Sequence, residues 1–279
     1  MYYSIMKIYQ IYYNKETFSR LDEEFIPYDN KKNERTEWYE FEVIYSYLKN
    51  NSLQDNVWYG FLSPEFYKKT NLTGLQIKSH LKQNEKSNVC LATSCFDQIA
   101  IYQNCFLQGE AKHPGLIIAT EYLLKKFKLN LPIKNLVGHS SNTVFSNYLI
   151  AKKEYWQKWY DLASFFMKLL KEDKNFLKII NTKSNYKNSK VNLGVFIQER
   201  FPTIILSSQN FKVTTLLSTD YKFCNQSIPL NFRSRGLIQT CDYIKEKYSR
   251  TGDKNLINLL RFNLEELKTL IKDNEKERN

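Results

Sequence analysis

The succession of apolar runs along this chain predicts an α/β fold: a mostly parallel sheet flanked by helices, followed by a helical C-terminal segment. Three observations carry that reading. Short apolar, β-prone runs alternate with stretches of helical periodicity over the first two thirds of the chain. One of these runs, Val89 to Thr93, ends abruptly in a polar corner at Ser94–Asp97, with Glu110 and His113 on a loop soon after. The last third contains two helical patterns, Leu237 to Tyr248 and Lys254 to Ile271, separated by Arg250-Thr251-Gly252-Asp253. Gly252 reads as a helix stop and Asp253 as a start.

In chain order, Ile5 to Ile11 is the first expected strand. The stretch from Leu21 to Trp38, with Pro27 and Asp29-Asn30, reads as a surface excursion with no regular element. From Glu37 a helix is marked by Trp38, Phe41, Ile44, Tyr45 and Leu48 at spacings of three and four. Asn56 to Leu62 is a second strand, ended by Ser63-Pro64, and a weaker helix starts at Thr73. After the Val89 strand, Ile99, Tyr102, Gln103 and Phe106 predict one helix, and GEAKHPGL at 109–116 a turn. Gly115 to Leu129 is helical, Val144 to Ile150 strand-like, and Tyr155 to Leu170 a strongly amphipathic helix whose Trp and Phe side chains face a core. Residues 183–190 read as a polar loop, Pro202 as an interruption of the helical run at 194–206, and FKVTTLL at 211–217 as a late strand. The resulting organisation is an α/β domain over 1–232, a helical extension packed on it over 233–272, and a tail at 273–279 that should fray.

Composition narrows the function classes. With 41 Lys plus Arg against 29 Asp plus Glu the net charge is +12, which favours anionic partners such as nucleotide phosphates or an acidic membrane surface. The basic residues are scattered, so a dedicated nucleic-acid-binding protein is not expected. The five Cys form no CxxC pair, and with His80, His113 and His139 they make no metal spacing. Cys90 and Cys105 sit in apolar runs as buried thiols, the odd count and the absence of a signal-peptide pattern fit a reducing cytosol, and no apolar run is long enough to span a membrane. No GxGxxG, GxxxxGK[ST] or GxSxG motif occurs. With only 8 Gly, a bound nucleotide would have to be held by side chains.

The candidate chemistry lies in four places. Asp97 closes a strand at its carboxyl end, where open α/β sheets bind ligands, and equally suits an N-cap for a helix starting at Gln98. Glu110 and His113 share a loop from which either could accept a hydroxyl proton, or could fix the turn by a hydrogen bond. Asn142 and Asn147 flank a strand-like run, suited to hydroxyl-rich ligands or to turn geometry. Glu199-Arg200 interrupts an apolar run, as an internal ion pair or as a contact to phosphate or carboxylate.

Several stretches resemble one family: IYQIYYN at 8–14, FIPYDN at 25–30, WYGFLSPEF at 58–66, DQIAIYQNCFLQGEAKHPGL at 97–116 and NTVFSNYLIAKKEYWQKWY at 142–160. These are similar to bacterial proteins of surface-polysaccharide biosynthesis related to GT-A-like glycosyltransferases. GVFIQERFPTIIL at 194–206 is similar to the GF-x-x-ERL segment of capsule and galactofuranosyl-type transferases, with Phe201-Pro202 after Glu199-Arg200 where the Leu is expected. The resemblance implies a GT-A-like, Rossmann-like domain that moves a sugar from a nucleotide-sugar to an acceptor hydroxyl in capsule or O-antigen assembly. Donor contacts would come from Tyr9, Gln10, Tyr12, Tyr28, Asp29, Asn30, Gln98 and Arg200. Asn142, Asn147 and Glu199 would meet a glycan or lipid-linked glycan acceptor. The base would be Asp97, Glu110 or His113. Where such enzymes carry Asp-x-Asp for Mn²⁺ or Mg²⁺, this chain reads Ser94-Cys95-Phe96-Asp97, so one carboxylate stands where two hold a cation. The resemblance thus implies a cytoplasmic protein, in peripheral contact with an anionic membrane. A non-catalytic glycan-binding or scaffold protein of the same fold is the alternative.

Overall fold

The structure is a computed structural model and describes residues 5–33, 35–181, 183–186 and 189–278. A six-stranded sheet forms its centre. The strands are β1 (Met6–Tyr12), β2 (Ile26–Asp29), β3 (Trp58–Leu62), β4 (Val89–Leu91), β5 (Leu149–Ala151) and β8 (Val213–Thr215). Across the sheet they lie in the order β2-β1-β3-β5-β4-β8. β1 pairs in parallel with β2 and β3, and β4 with β8, whereas β5 runs antiparallel to both β3 and β4. The sheet is therefore mixed: five strands point one way, and the reversed β5 separates the two parallel groups. The expected mostly parallel α/β architecture holds at that level. β3 is buried at all five positions, as a strand covered on both faces requires.

Helices cover both faces: α1 (Lys15–Phe18), α2 (Glu40–Asn50), α3 (Phe66–Thr70), α4 (Gly74–Gln83), α5 (Phe96–Ile101), α6 (Cys105–Lys112), α7 (Leu116–Lys126), α8 (Lys153–Glu172) and α9 (Lys174–Ile180). Thr73 accepts the Gln76 amide while Gln76 reaches back to the Thr73 amide, a capping box that starts α4 despite its weak apolar face. α8 is the main buttress. Its Trp156 indole donates to the carbonyls of Tyr59 on β3 and Ala151 on β5, both at 3.1 Å, so the helix is bonded to the seam between the parallel and reversed strands. Around it Phe41, Trp159, Phe166 and Phe201 form an edge-to-face ring cluster.

The chain continues through a two-stranded hairpin, β6 (Lys183–Tyr186) with β7 (Ser189–Asn192), then α10 (Leu193–Gln198) and α11 (Phe201–Ser208), and ends in α12 (Phe232–Thr251) and α13 (Asn255–Arg278). Gly252, at φ 67°, ends α12, and Asp253 accepts the Asn255 amide at the start of α13, as the sequence predicts. α12 and α13 close over α5 through a separate small core that includes Phe96, Ala100, Ile238, Cys241 and Leu267. Among the described residues no helix is long and apolar enough to cross a membrane.

The structure departs from the sequence reading at several elements. The 21–38 excursion contains β2, which tolerates Pro27 because it is an edge strand. The helix expected across 99–106 is two helices, because Asn104 leaves the first and caps the second by accepting the Phe106 and Leu107 amides. Gly109 to Lys112 are consequently helical, and only His113–Gly115 turn. Of the strand-like 144–150 run only its end is strand, since Ser146 and Asn147 both take left-handed backbone (φ 59° and 54°). The described part of 183–190 is hairpin, and α13 runs to Arg278 where fraying was expected.

Candidate active-site cleft

The carboxyl ends of the five co-directed strands share one edge of the sheet. A cleft of about 780 Å³ opens at this edge, over β3 and β4. Its walls are built by the segments that flank the strands. α3 after β3 supplies Lys68 and Lys69; the corner after β4 supplies Ser94, Cys95 and Gln98; and the approach to β5 supplies Phe145 and Ser146. α6 and its exit add Gln108, Lys112 and His113, the α10–α11 junction adds Phe196, Glu199 and Arg200, and the 222–227 loop closes the far side with Lys222. Among the described residues, five Lys or Arg side chains line the cleft against one carboxylate, Glu199. Fixed positive charge in a walled cleft concentrates anions.

The cleft is held by groups already committed to the backbone. Asp97, fully buried, accepts the amides of Cys224 (3.0 Å) and Asn225 (2.9 Å) and the Gln98 side-chain amide (3.0 Å). It ties the 222–227 loop to the corner, and a Cys95–Cys224 disulfide spans the same junction. Asp97 is not an N-cap: α5 starts one residue earlier, from Cys95 in left-handed conformation (φ 57°). With Ser146, two residues of the cleft lining hold left-handed backbone without glycine, and Asn147 behind Ser146 does the same, a feature that concentrates at functional sites. Cys90, Cys105 and Cys241 are buried thiols. The Cys95–Cys224 pair removes the cysteine argument for a reducing compartment, where disulfides are rare.

Glu110 spends both carboxylate oxygens on the start of α7, accepting the Gly115 and Ile117 amides at 2.8 Å each. It does not line the cleft. His113 does, with its ring stacked on Phe196 at 3.5 Å between centroids. Burial, then Arg200 and Lys112, push its pKa down to about 4, so it is neutral at pH 7. Glu199 is a third exposed (34 %), and burial of its surroundings raises its pKa while the Arg200 guanidinium at 3.1 Å opposes the shift. Arg200 itself, 4 % exposed, also donates to the Phe196 carbonyl (2.8 Å), the Cys105 carbonyl (3.4 Å) and Gln108 (3.2 Å). Four of its five N–H donors are engaged by protein, so it chiefly positions Glu199 and the wall, and the lysines are the cations with reach.

Gln98, His113, Glu199 and Arg200 are thus brought into one cleft, and the other expected site residues lie outside its lining. Tyr9 and Tyr28 are packed in a ring cluster with Tyr47, and Gln10 is buried between the Ser63 carbonyl and the Asp22 amide. Tyr12 donates to Asp29 at the exposed end of β1 and β2, and the Asn30 amide bonds the Tyr12 carbonyl. Asn142 holds a turn through the His139 amide and Val137 carbonyl, and Asn147, buried, donates to Gln198. Lys68, Lys69, Lys112 and Lys222 escaped the sequence reading. Lys68-Lys69 had one signal, position in the segment that follows the Ser63-Pro64 turn at the end of a strand. Among the described residues no three His, Cys, Asp or Glu side chains group as a metal site. The cleft's lone carboxylate is paired with arginine, a donor set that does not suit Mn²⁺ or Mg²⁺.

This packing has two measurable outcomes. A Cβ on Gly109 would collide with Leu116 and lie 2.8 Å from Arg200 Nη2. Gly109→Ala should therefore cost about 1–3 kcal/mol in denaturant unfolding and displace Arg200 from Glu199. His139 is also buried with its pKa pushed down to about 4, by burial above all. Both histidines take up a proton more readily unfolded (pKa about 6.5) than folded. Stability should be complete above that value and fall toward pH 4, by roughly 2 kcal/mol for each histidine at pH 5. Urea melts at pH 7 and 5 check this: the loss should be about half as large in His139→Gln.

The fold and cleft together define an α/β protein with a basic crevice at the carboxyl edge of a mixed sheet. No protein-family model matches the chain, and neither does any curated protein or solved structure.

Proposed function

We propose that the protein is a glycosyltransferase that moves a sugar from a nucleotide-sugar to an acceptor hydroxyl in surface-polysaccharide assembly. The observation that carries this reading is the charge of the cleft, with five basic side chains and one carboxylate at the carboxyl edge of the sheet. The donor diphosphate lies among Lys69, Lys112 and Lys222, which neutralise it as it leaves. The acceptor oxygen bonds to the anomeric carbon as the bond from that carbon to the phosphate oxygen breaks. The electron pair stays on the nucleoside diphosphate, and the acceptor proton passes to Glu199. A carboxylate of raised pKa suits that task, because the proton is then held after transfer. The GT-A-like topology suggested by the resemblance is part of this proposal, and its support is the single direction of five strands.

Incubation with a panel of nucleotide-sugars and a mixed oligosaccharide acceptor pool tests the reading. Release of nucleoside diphosphate above the protein-free rate, abolished in Lys69→Glu, is expected; no release from any donor contradicts it. One observation favours a non-catalytic glycan-binding or scaffold protein: Asp97 and Glu110, two carboxylates near the corner, are both spent on backbone amides. Retention of ligand binding with no turnover would select it.

A further inference from the structure

The far wall of the cleft belongs to a segment without helix or strand, residues 216–231 between β8 and α12. Two side chains bracket its cleft portion: Arg235 donates to the Tyr221 carbonyl at 3.0 Å, and Asn274 to the Ser227 carbonyl at 2.8 Å. Between them the loop is tied to the sheet corner by the Asp97 carboxylate and by the Cys95–Cys224 bridge. Both cysteines line the cleft, Cys95 half-buried and Cys224 exposed. Lys222, two residues before the bridge, reaches from this loop to α3, where its ammonium lies 3.5 Å from the Lys68 carbonyl.

A disulfide on an exposed surface is open to attack by an external thiolate without unfolding, and cations around it stabilise the thiolate that leaves. The other three cysteines, Cys90, Cys105 and Cys241, are buried. Burial pushes the Cys90 thiol up to about 12 and the Cys241 thiol up to about 11, so they stay protonated and out of exchange. We propose that the Cys95–Cys224 bridge is a redox switch on the anion site: closed, it fixes Lys222 at the cleft; opened by a dithiol reductant, it frees the loop and weakens diphosphate binding. In the opening step one thiolate of the reductant attacks Cys224 Sγ, the S–S bond breaks, and its electron pair leaves on Cys95 Sγ. The reductant's second thiolate then displaces Cys224 Sγ and closes the reductant's own disulfide, so two electrons and two protons pass to the protein. The two Asp97 bonds remain in the reduced chain. They yield to local opening, which the covalent bridge forbids. Whenever they are made they hold Cys224 beside Cys95, so a disulfide oxidant re-forms the same pair. The inference rests on the cleft being the diphosphate site of the proposed transferase, and it adds the regulation of that site.

Calorimetric titration of the full chain with inorganic pyrophosphate, before and after dithiothreitol, tests the switch. The oxidised chain should bind about fivefold more tightly than the reduced one, and reoxidation with glutathione disulfide should restore the tighter binding. Lys222→Met should weaken the oxidised chain to the reduced level and remove the effect of dithiothreitol. The double variant Cys95→Ser/Cys224→Ser should bind like the reduced chain with or without it. Iodoacetamide applied to the reduced protein, still melting cooperatively, should label Cys95 and Cys224 and spare the other three. Equal affinity in the two states, a redox difference that survives Lys222→Met, or a bridge that opens only when all five cysteines become reactive overturns the inference. Pyrophosphate that binds both states equally leaves the transferase reading standing; pyrophosphate that binds neither overturns that reading and the switch with it.

Discussion

Glu199→Gln should lower sugar transfer by about 10²–10⁴-fold while nucleoside diphosphate affinity stays the same or improves. The expectation comes from charge and position. Glu199 is the one carboxylate in the cleft lining, a third exposed, and Arg200 holds it at 3.1 Å. Glutamine keeps the shape and a hydrogen-bond acceptor for Arg200 but cannot take a proton from the acceptor hydroxyl. It also removes a negative charge from a site that attracts anions, so donor binding gains if it changes at all. Initial rates and a donor titration on the same preparation separate the two effects. A rate within threefold of wild type would place the base elsewhere, with His113 the next group in the cleft to substitute.

Asp97→Ala should cost about 2–4 kcal/mol and weaken nucleoside diphosphate binding at the same time. Two part-buried backbone amides, of Cys224 and Asn225, lose their buried acceptor, and the loop bearing Lys222 loses one of its two attachments to the sheet corner. The second attachment is the Cys95–Cys224 disulfide, so the effects of Asp97→Ala and of reduction should be non-additive: each anchors the same loop. Asp97→Asn, which retains one acceptor oxygen, should lie between wild type and alanine. Urea unfolding with and without reductant measures all three. If Asp97 were instead the catalytic base, Asn would abolish transfer and leave stability unchanged, the opposite pattern.

The parts of the fold legible in the sequence are those whose signal is local. β1, β3, α2 and α8 declare themselves by apolar period, and the α12–α13 junction by Gly252 and Asp253, because each is set by a few adjacent residues. β2 was hidden because an edge strand needs little apolar content and accepts Pro27. The break between α5 and α6 was hidden because Asn104 sits at an apolar-periodic stretch and acts through its side chain, which period counting does not register. β5 keeps only three residues, and nothing in its apolar run states that it runs against its neighbours.

At the site, Glu199-Arg200 was legible because charge inside an apolar run is conspicuous. The corner at 94–98 was also found, but the role of its aspartate was not. The partner that consumes Asp97, the 222–227 loop, lies more than 120 residues away in the chain, and the 129-residue separation of Cys95 and Cys224 gives no spacing motif. Glu110 looked reactive beside His113, because the turn that separates their roles starts only at the end of α6. The cleft lysines looked like solvated surface for the same reason: their convergence is a property of the topology.

The central claim is that the basic cleft takes the diphosphate of a nucleotide. Thermal unfolding with a panel of nucleoside diphosphates, beside the matching nucleosides and with and without Mn²⁺, tests it most directly. At ligand concentrations about 100-fold above Kd, the gain is about 2.7 kcal/mol. At about 2–4 °C per kcal/mol, that raises the melting temperature by about 5–10 °C for at least one diphosphate, without need of Mn²⁺, and the rise disappears in Lys69→Glu. A melting temperature unmoved by every diphosphate at millimolar concentration, or raised equally by the nucleosides, would contradict it.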